Sequence, residues 1–131
     1  MSCLFCRIVS REIPAHVVFE NEHVLIFLDI HPKAPGHLLA IPKQHADHAL
    51  VTSPEDLSHA LLALRQIGPT ILAKLGASGA RIQVNIGADA GQEVMHTHLH
   101  FIPVFEHNTV PNLGHEPSLT ELAEQLFHVL S

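Results

Sequence analysis

The stretch that decides the fold lies late in the chain and reads Gly91-Gln92-Glu93-Val94-Met95-His96-Thr97-His98-Leu99-His100-Phe101-Ile102-Pro103-Val104. From Val94 to Val104 its apolar and β-branched residues are typical of a strand. Because successive strand side chains alternate between faces, His96, His98 and His100 are predicted to line one face, about 6.5 Å apart. A lone histidine on a strand is usually structural, but three at a spacing of two are close enough to share one phosphate or one metal ion.

Composition places the chain among ordinary soluble domains. Its 131 residues predict a single domain over residues 1–131, and apolar residues make up 47% against 15% charged. The longest nearly uncharged run, Val24 to Leu28, is far too short to cross a bilayer, so no membrane partner is expected. The N-terminus does not resemble a secretion signal, and the expected location is therefore cytoplasmic.

The formal net charge of −6 bears on possible partners. Nonspecific binding to a polynucleotide depends on Lys and Arg neutralising phosphates, so no nucleic-acid partner is expected. A phosphate-bearing ligand is instead expected to be small and held by local hydrogen-bond donors.

Two cysteines, Cys3 and Cys6, form a Cys-x-x-Cys pair at the N-terminus. In a cytoplasmic chain such a pair is more often half of a metal site or a redox dithiol than a structural disulfide. A thioredoxin-like dithiol would follow a strand in a βαβ unit, which six residues cannot supply. Half of a zinc site is therefore the favoured interpretation.

The remaining segments predict an α+β fold, with a mainly antiparallel sheet and helices on one face. A helix is expected to begin at the Ser53 cap and to end before Gly76, with a bend near Ile67 caused by Gly68-Pro69. The other predicted elements are a helix over residues 3–9, strands over 17–20, 24–29, 37–41, 81–86 and 94–104, and a helix that opens with the capping box of residues 118–121.

At the histidine stretch the chain resembles the histidine triad (HIT) family, in its small single-domain, Hint-like branch. The resemblance runs from residue 3 to about residue 105. It rests on Cys3-Leu4-Phe5-Cys6-Arg7-Ile8, Glu12-Ile13-Pro14-Ala15, Phe27-Leu28-Asp29-Ile30, Pro32, Ala34-Pro35-Gly36-His37, Ile41-Pro42-Lys43-Gln44-His45, Asn85, Gly91-Gln92 and the three histidines. It implies a five-stranded antiparallel sheet with a long central helix and short terminal helices, in a homodimer that joins two sheets into one.

The same resemblance implies a set of catalytic residues. His98 matches the nucleophile, with His100 and His37 orienting it and sharing its proton, and His96 completes the histidine motif. The implied substrate is a purine nucleotide of the AMP or GMP type. The residues matched to its binding are Leu4, Phe5, Ile8, Phe27, Asp29, Ile30, Leu39, Asn85, Gly91, Gln92, Glu93, His98 and His100, of which Asp29 would hold the ribose hydroxyls.

In metal-containing bacterial members, the matching positions Cys3, Cys6, His45 and His96 would hold a structural zinc. Such a closed four-ligand site stabilises the fold without entering the reaction. Two departures from the family pattern concern its other contacts. Glu93 stands where many members have a serine that helps the leaving group, and Val104 stands where bacterial members often have arginine.

The implied reaction is hydrolysis or nucleotidyl transfer at the α-phosphate of a nucleotide phosphoramidate or a related conjugate. Neutral His98 would attack phosphorus and form a nucleotidyl-histidine, provided that its other ring nitrogen donates to a fixed acceptor. That acceptor is expected to be a backbone carbonyl in the facing chain segment. No magnesium requirement is expected, since the preset donors replace it.

Three alternatives remain open from the sequence. The first is hydrolysis of dinucleoside polyphosphates, which present the same α-phosphate. The second is a noncatalytic nucleotide-binding scaffold. The third is a catalytic metal held by His96, His98 and His100, although ligands adjacent on one strand seldom converge on one ion.

Overall fold

The computed structural model describes residues 3–107 and 117–130. It confirms an α+β fold, in which five strands form one antiparallel sheet in the order β1-β2-β3-β5-β4. The elements are α1 (Leu4–Val9), β1 (Val17–Glu20), β2 (Val24–Leu28), β3 (Leu38–Pro42), α2 (Pro54–Leu75), β4 (Gly79–Gln83), a single 3-10 turn (Ala88–Ala90), β5 (Leu99–Val104) and α3 (Leu119–Val129).

The two faces of the sheet are covered by different helices. Val24, Ile26 and Leu28 of β2 face the main core, which α2 and α3 cover. The alternate residues Leu25 and Phe27 face a second cluster with α1. The expectation that the helices share one face is therefore wrong for α1, because β2 is apolar on both sides and needs cover on both.

The ends of the long helix α2 are determined by local sequence. Ser53 accepts a hydrogen bond from the Asp56 amide (3.0 Å), and Gly76 ends the helix in the left-handed region at φ 72°. The helix continues through Pro69, and the predicted bend stays a prediction. Gly68 allows a close approach to the sheet, since a Cβ there would lie 3.3 Å from the Phe101 ring.

The fifth strand is shorter than predicted, beginning at Leu99 instead of Val94. The preceding segment leaves the sheet, since the Thr97 amide donates to the Ala46 carbonyl (2.9 Å) instead of to a neighbouring strand. The fourth strand is Gly79–Gln83 instead of residues 81–86. Gln83 pairs with His100, and β5 begins only one residue before His100, at Leu99. Residues after Gln83 therefore have almost no part of β5 left to pair with.

The remaining predicted boundaries agree with the structure to within one or two residues. The capping box before α3 is present, with Ser118 and Glu121 bonded reciprocally at 3.1 Å. His37 lies just before β3, where a preceding loop can reach its ring. Within the described ranges, no helix combines the length and apolar character needed to cross a bilayer.

Candidate active site and metal centre

His98 lies immediately before β5 and is 7% exposed. Its Nδ1 atom donates to the carbonyl oxygen of His96 at 2.7 Å. Because a carbonyl oxygen only accepts, the ring hydrogen lies on Nδ1 and the lone pair lies on Nε2. The acceptor is a backbone carbonyl, as predicted, but it belongs to His98's own segment and not to the facing one. The segment before β5 leaves the sheet at this point. The His96 carbonyl is thereby placed against the ring of His98, two residues further along the chain.

His37 and His100 form a second hydrogen-bonded unit. The Lys33 amide donates to His37 Nδ1 at 3.0 Å, so a neutral His37 carries its hydrogen on Nε2. That nitrogen lies 2.9 Å from His100 Nδ1 and donates to it. The hydrogen of His100 is consequently on Nε2, which is buried and has no hydrogen-bond partner in the described part of the chain. A buried donor of this kind suits an acceptor atom from a water molecule or from a ligand.

The electrostatics of the site favour neutral imidazoles. Burial lowers the pKa values of His98 and His37 below the ordinary value of histidine. Burial, followed by the neighbouring His98 and His37 rings, lowers the pKa of His100 to about 4. Each of these rings is therefore uncharged at pH 7, as a histidine nucleophile and its donor require.

Helix α1 packs against this histidine group. The Phe5 ring meets His98 edge to face, with centroids 5.1 Å apart, and meets His96 at 5.9 Å. The His98 and His100 rings lie 5.0 Å apart. Phe5 thus packs against the rings of both His96 and His98.

A second group of donors lies beside the first and consists of Cys3, Cys6, His45 and His96, whose candidate ligand atoms lie within 4.8 Å of one another. His96 Nδ1 lies 3.5 Å from Cys3 Sγ and 3.6 Å from Cys6 Sγ. His45 Nδ1 lies 3.3 Å from Cys6 Sγ and 3.3 Å from His96 Nδ1.

These distances match the edges of a zinc tetrahedron. Bonds of about 2.3 Å to sulfur and about 2.0 Å to nitrogen separate sulfur from nitrogen by about 3.5 Å, and nitrogen from nitrogen by about 3.3 Å. The ring tautomers also fit. His96 Nε2 donates to the Pro42 carbonyl (2.7 Å) and His45 Nε2 donates to Asp47 (2.9 Å), which leaves both Nδ1 lone pairs free for a metal ion.

The protonation of the Cys6 thiol is affected by the closeness of these groups. Burial, together with the adjacent Cys3 side chain, raises the pKa of Cys6 above its ordinary value. Two neighbouring thiols resist becoming thiolates unless a cation compensates them, and a bound cation reverses that preference.

The three histidines of the motif do not share one face, which corrects the prediction from strand alternation. His96 turns to the cysteines, whereas His98 and His100 stay together. Among the described residues, the donor sets that could hold a metal do not combine His96, His98 and His100. Asp29, His37 and His100 form another close set, but the hydrogen bond between the two rings occupies one nitrogen of each.

Several of the residues predicted to bind the nucleoside lie next to His37 and His100. Phe27, Leu39 and His100 are neighbours across three strands, on the face that α1 covers. Asp29 follows β2, with Oδ2 3.6 Å from His37 Nε2 and Oδ1 accepting from the His31 amide (2.8 Å). Phe5, Ile8, Phe27 and Leu39 are buried in one cluster, whereas Leu4 and Ile30 are exposed.

The predicted phosphate-facing residues lie in the loop between β4 and β5. Asn85 accepts a hydrogen bond from Gln83 (3.2 Å) and lies next to Gly91, whose φ is +96°. Glu93 is exposed. Gln92, by contrast, is 3% exposed, and all of its side-chain hydrogen bonds go to the protein backbone.

Among the cavities in the described part of the chain, two are of similar size, and one of them has His37 in its wall. One, of about 310 Å³, is lined by Ile8, Arg11, Ile13, Pro14, Ala15 and Val17. The other, of about 330 Å³, extends beneath the loop after β2 and includes Asp29 and His37 in its wall. His98 is not among the residues that line either of these two cavities.

Four contributors to the site were missed from the sequence. These are the Lys33 amide, the Pro42 carbonyl, Asp47 and Thr97. Asp47 carried a usable signal, since a carboxylate two residues after a candidate histidine ligand can bond the second ring nitrogen. The other three act through backbone groups, the amides of Lys33 and Thr97 and the carbonyl of Pro42, and these carried no signal because the backbone groups of most residues are alike.

Comparisons with known proteins agree with this geometry. Residues 10–107 match the HIT domain. An uncharacterised HIT-like protein of Methanocaldococcus jannaschii is 44% identical over 104 residues, covering 79% of this chain and 80% of that protein.

Solved structures extend the likeness to the whole fold. A zinc-bound histidine triad family protein from Mycobacterium smegmatis superposes with a TM-score of 0.86 at 35% identity, covering 99% of this chain and 94% of that one. A hypothetical histidine triad nucleotide-binding protein from Sulfolobus tokodaii superposes with a TM-score of 0.87 at 29% identity, covering 98% and 89%. The match to the family model over most of the chain, together with the 44% identity to a HIT-like relative, shows that this chain belongs to the HIT family.

Proposed function

We propose that this protein hydrolyses or transfers nucleotides at the α-phosphate of purine nucleotide phosphoramidates, through a covalent intermediate on His98. The observation that carries the proposal is the buried Nε2 hydrogen of His100, which lacks an acceptor beside a neutral His98. A phosphoryl oxygen is an acceptor of the right charge, and preset donors are most effective where negative charge develops.

The first step forms a bond from the His98 Nε2 lone pair to the α-phosphorus and breaks the bond from phosphorus to the leaving group. The leaving amine keeps the bonding electron pair and takes up a proton. His98 stays oriented because its Nδ1 hydrogen is held by the His96 carbonyl, while His100 donates to the phosphoryl group.

The second step returns the enzyme to its starting state. Water attacks the nucleotidyl-histidine, its oxygen bonds to phosphorus, and the bond from phosphorus to His98 breaks. The products are a nucleoside monophosphate and neutral His98, with the displaced proton released. An acceptor alcohol in place of water would make the same step a transfer.

The other binding roles follow from position. Asp29, at the end of β2 beside His37, is proposed to accept from the ribose hydroxyls. The apolar cluster around Phe27 and Leu39 suits a purine face, with the exposed Leu4 and Ile30 at its rim. Asn85 and Gly91 are proposed to face the phosphate, and Glu93 the leaving group.

Cys3, Cys6, His45 and His96 are proposed to hold a structural zinc ion. The ion would supply a closed, four-ligand crosslink between α1, the segment after β3 and the histidine stretch. Free thiols that must stay reduced to bind it suit a cytoplasmic location.

A homodimer is proposed to form through β4, the edge strand beside β5. Ile82 in this strand is 50% exposed and Val84 just after it is 41% exposed, which is unusual for apolar residues at a sheet edge. Light scattering at micromolar concentration is expected to give twice the chain mass, and Ile82→Lys to give the chain mass.

A kinetic panel tests the proposed activity. Adenosine and guanosine phosphoramidates, an aminoacyl adenylate and a dinucleoside polyphosphate would be compared, with and without a magnesium chelator. We expect the highest kcat/KM on a phosphoramidate and no loss on chelation of magnesium. Preference for the dinucleoside polyphosphate would reassign the substrate class, and AMP binding without turnover on any substrate would make the protein a scaffold.

A further inference from the structure

The loop that connects β4 to β5 contains two glycines in the left-handed region, Gly87 at φ 88° and Gly91 at φ 96°. Glycine is conformationally permissive, so a loop of this kind keeps one shape only if other residues hold it. The structure shows one buried side chain that does so. The side-chain Oε1 of Gln92 accepts a hydrogen bond from the Gly87 amide (2.8 Å), and the backbone amide of Gln92 donates to the Gly87 carbonyl (3.1 Å).

The other end of the same side chain bonds to two different segments. Gln92 Nε2 donates to the Asp47 carbonyl (2.6 Å) and to the Val94 carbonyl (3.0 Å). Both amide hydrogens and the oxygen of Gln92 are therefore used within the protein. The side chain is 3% exposed, so it is not available as a direct donor to a phosphate.

Asp47 belongs to the segment that forms the metal centre. Its carboxylate accepts from Nε2 of His45, while its carbonyl accepts from Gln92. The preceding carbonyl, of Ala46, accepts from the amide of Thr97, which lies between His96 and His98. Residues 46 and 47 thus bond to both the phosphate-facing loop and the histidine stretch.

We propose that Gln92 is a positioning residue that fixes the loop of residues 87–91 to the metal-centre segment and does not itself contact the substrate. This inference rests on the function proposed above, because the loop matters only if it faces a phosphate. The metal ion then acts at a distance from the reaction, by ordering the segment to which Gln92 bonds. Donors aimed before the substrate arrives are the ones that stabilise developing charge.

The test uses the zinc-loaded protein and the variant Gln92→Met, which keeps the volume of the side chain but removes its hydrogen bonds. Gln66→Met, on an exposed position of α2, is the matched control. Amide hydrogen exchange at Gly87 reports the loop, and exchange at Ile67 in the core of α2 reports global opening. Zinc content, AMP affinity, kcat and KM are measured on the same samples.

In Gln92→Met we expect the Gly87 amide to exchange at least about tenfold faster, with Ile67 exchange and zinc content unchanged. AMP affinity is expected to fall about tenfold and kcat/KM about a hundredfold. Removing zinc from the unmodified protein should also speed Gly87 exchange beyond any change at Ile67. In the variant, zinc removal should speed Gly87 exchange by no more than it speeds Ile67 exchange.

Unchanged Gly87 exchange in Gln92→Met would overturn the inference. Weaker AMP binding with Gly87 still protected would also overturn it, because that pattern indicates direct contact between Gln92 and the ligand. If an unmodified protein neither binds AMP nor cleaves the substrates, the proposed function is wrong, whereas the exchange experiment still tests the bond network.

A second variant covers the case in which Gln92→Met does not fold. Gln92→Glu keeps an acceptor for the Gly87 amide but loses both donors to Asp47 and Val94. We expect Gly87 to stay protected in this variant, and zinc removal to speed its exchange by no more than it speeds Ile67 exchange. Continued sensitivity to zinc would show that the connection runs through other residues.

Discussion

His96 and His98 are two residues apart, and each donates one ring hydrogen to a backbone carbonyl at 2.7 Å, yet they belong to different centres. His96 bonds through Nε2, so its free lone pair is on Nδ1 and faces the cysteines. His98 bonds through Nδ1, so its free lone pair is on Nε2. The nitrogen that the carbonyl occupies determines which ring nitrogen keeps a free lone pair, Nδ1 for the metal ligand and Nε2 for the nucleophile that we propose.

The largest expected effect is on the nucleophile. His98→Ala removes the Nε2 lone pair, and turnover is expected to fall by more than about a thousandfold, since no other group can form the intermediate. AMP affinity should change little, because His98 is one contact among many. Stopped assays on a phosphoramidate and calorimetry with AMP would measure the two effects.

His128→Ala, which removes an exposed imidazole at the end of α3, is the matched control and should keep full activity. Turnover above a few per cent of the unmodified rate in His98→Ala would reject the covalent route.

Removal of the metal tests the other centre. Chelation or His45→Ala is expected to lower stability by about 3 to 4 kcal/mol, which is the contribution of a ligand held at roughly 100 to 1,000 times its Kd and is less than the whole stability of a typical domain. Metal analysis should give one zinc per chain before chelation, and thermal unfolding should shift strongly afterwards. The neighbouring His48→Ala should do neither, and well under one zinc per chain in fresh protein would remove the metal centre from consideration.

The hydrogen-bond relay from Lys33 through His37 to His100 predicts an intermediate effect. His37→Ala leaves His100 free to take the other tautomer, which turns the donor away from the substrate. We expect kcat to fall about a hundredfold with little change in KM or in zinc content. An equal rise in KM would indicate instead that His37 mainly binds the ground state.

The smallest expected effect is on the pH dependence. Because the pKa values of His37 and His98 are lowered from the ordinary value, and that of His100 is lowered to about 4, the acid limb of kcat/KM should be centred below pH 6.5. An acid limb centred at pH 6.5, the ordinary histidine value, would contradict this.

The same groups affect stability with a defined sign. In the unfolded chain these histidines bind protons below about pH 6.5, whereas in the folded chain they bind them only at lower pH. Their contribution to stability is therefore fully present above pH 6.5 and is lost as the pH falls from 6.5 towards 4. Denaturant midpoints measured across this window would check the direction.

Much of the fold could be predicted because its signals are local. Ser53 and Gly76 mark the ends of α2, and the reciprocal bonds of Ser118 and Glu121 mark the start of α3. The uncharged character of β2 was also visible, but the need for helices on both of its faces was not predicted. That depends on contacts between residues far apart in sequence, such as Phe5 with Phe27.

The site was less predictable at the points where backbone groups do the positioning. Alternation along a strand assumes that the strand stays in the sheet, and the bond from Thr97 to Ala46 removes residues 94–98 from it. This departure is what sends His96 and His98 to different centres. It could not be read from side-chain types, because the Ala46 carbonyl is chemically the same as any other.

His96 takes part in both candidate centres. Its ring lies beside the cysteines, and its carbonyl accepts the hydrogen bond from the ring of His98. For protein engineering this means that a cysteine-free version, made for labelling or for use in oxidising media, cannot be obtained by deleting the thiols alone. A successful design would need a new anchor for the His96 ring, such as a packed apolar group or a second hydrogen bond, so that the carbonyl keeps its place when the metal is gone.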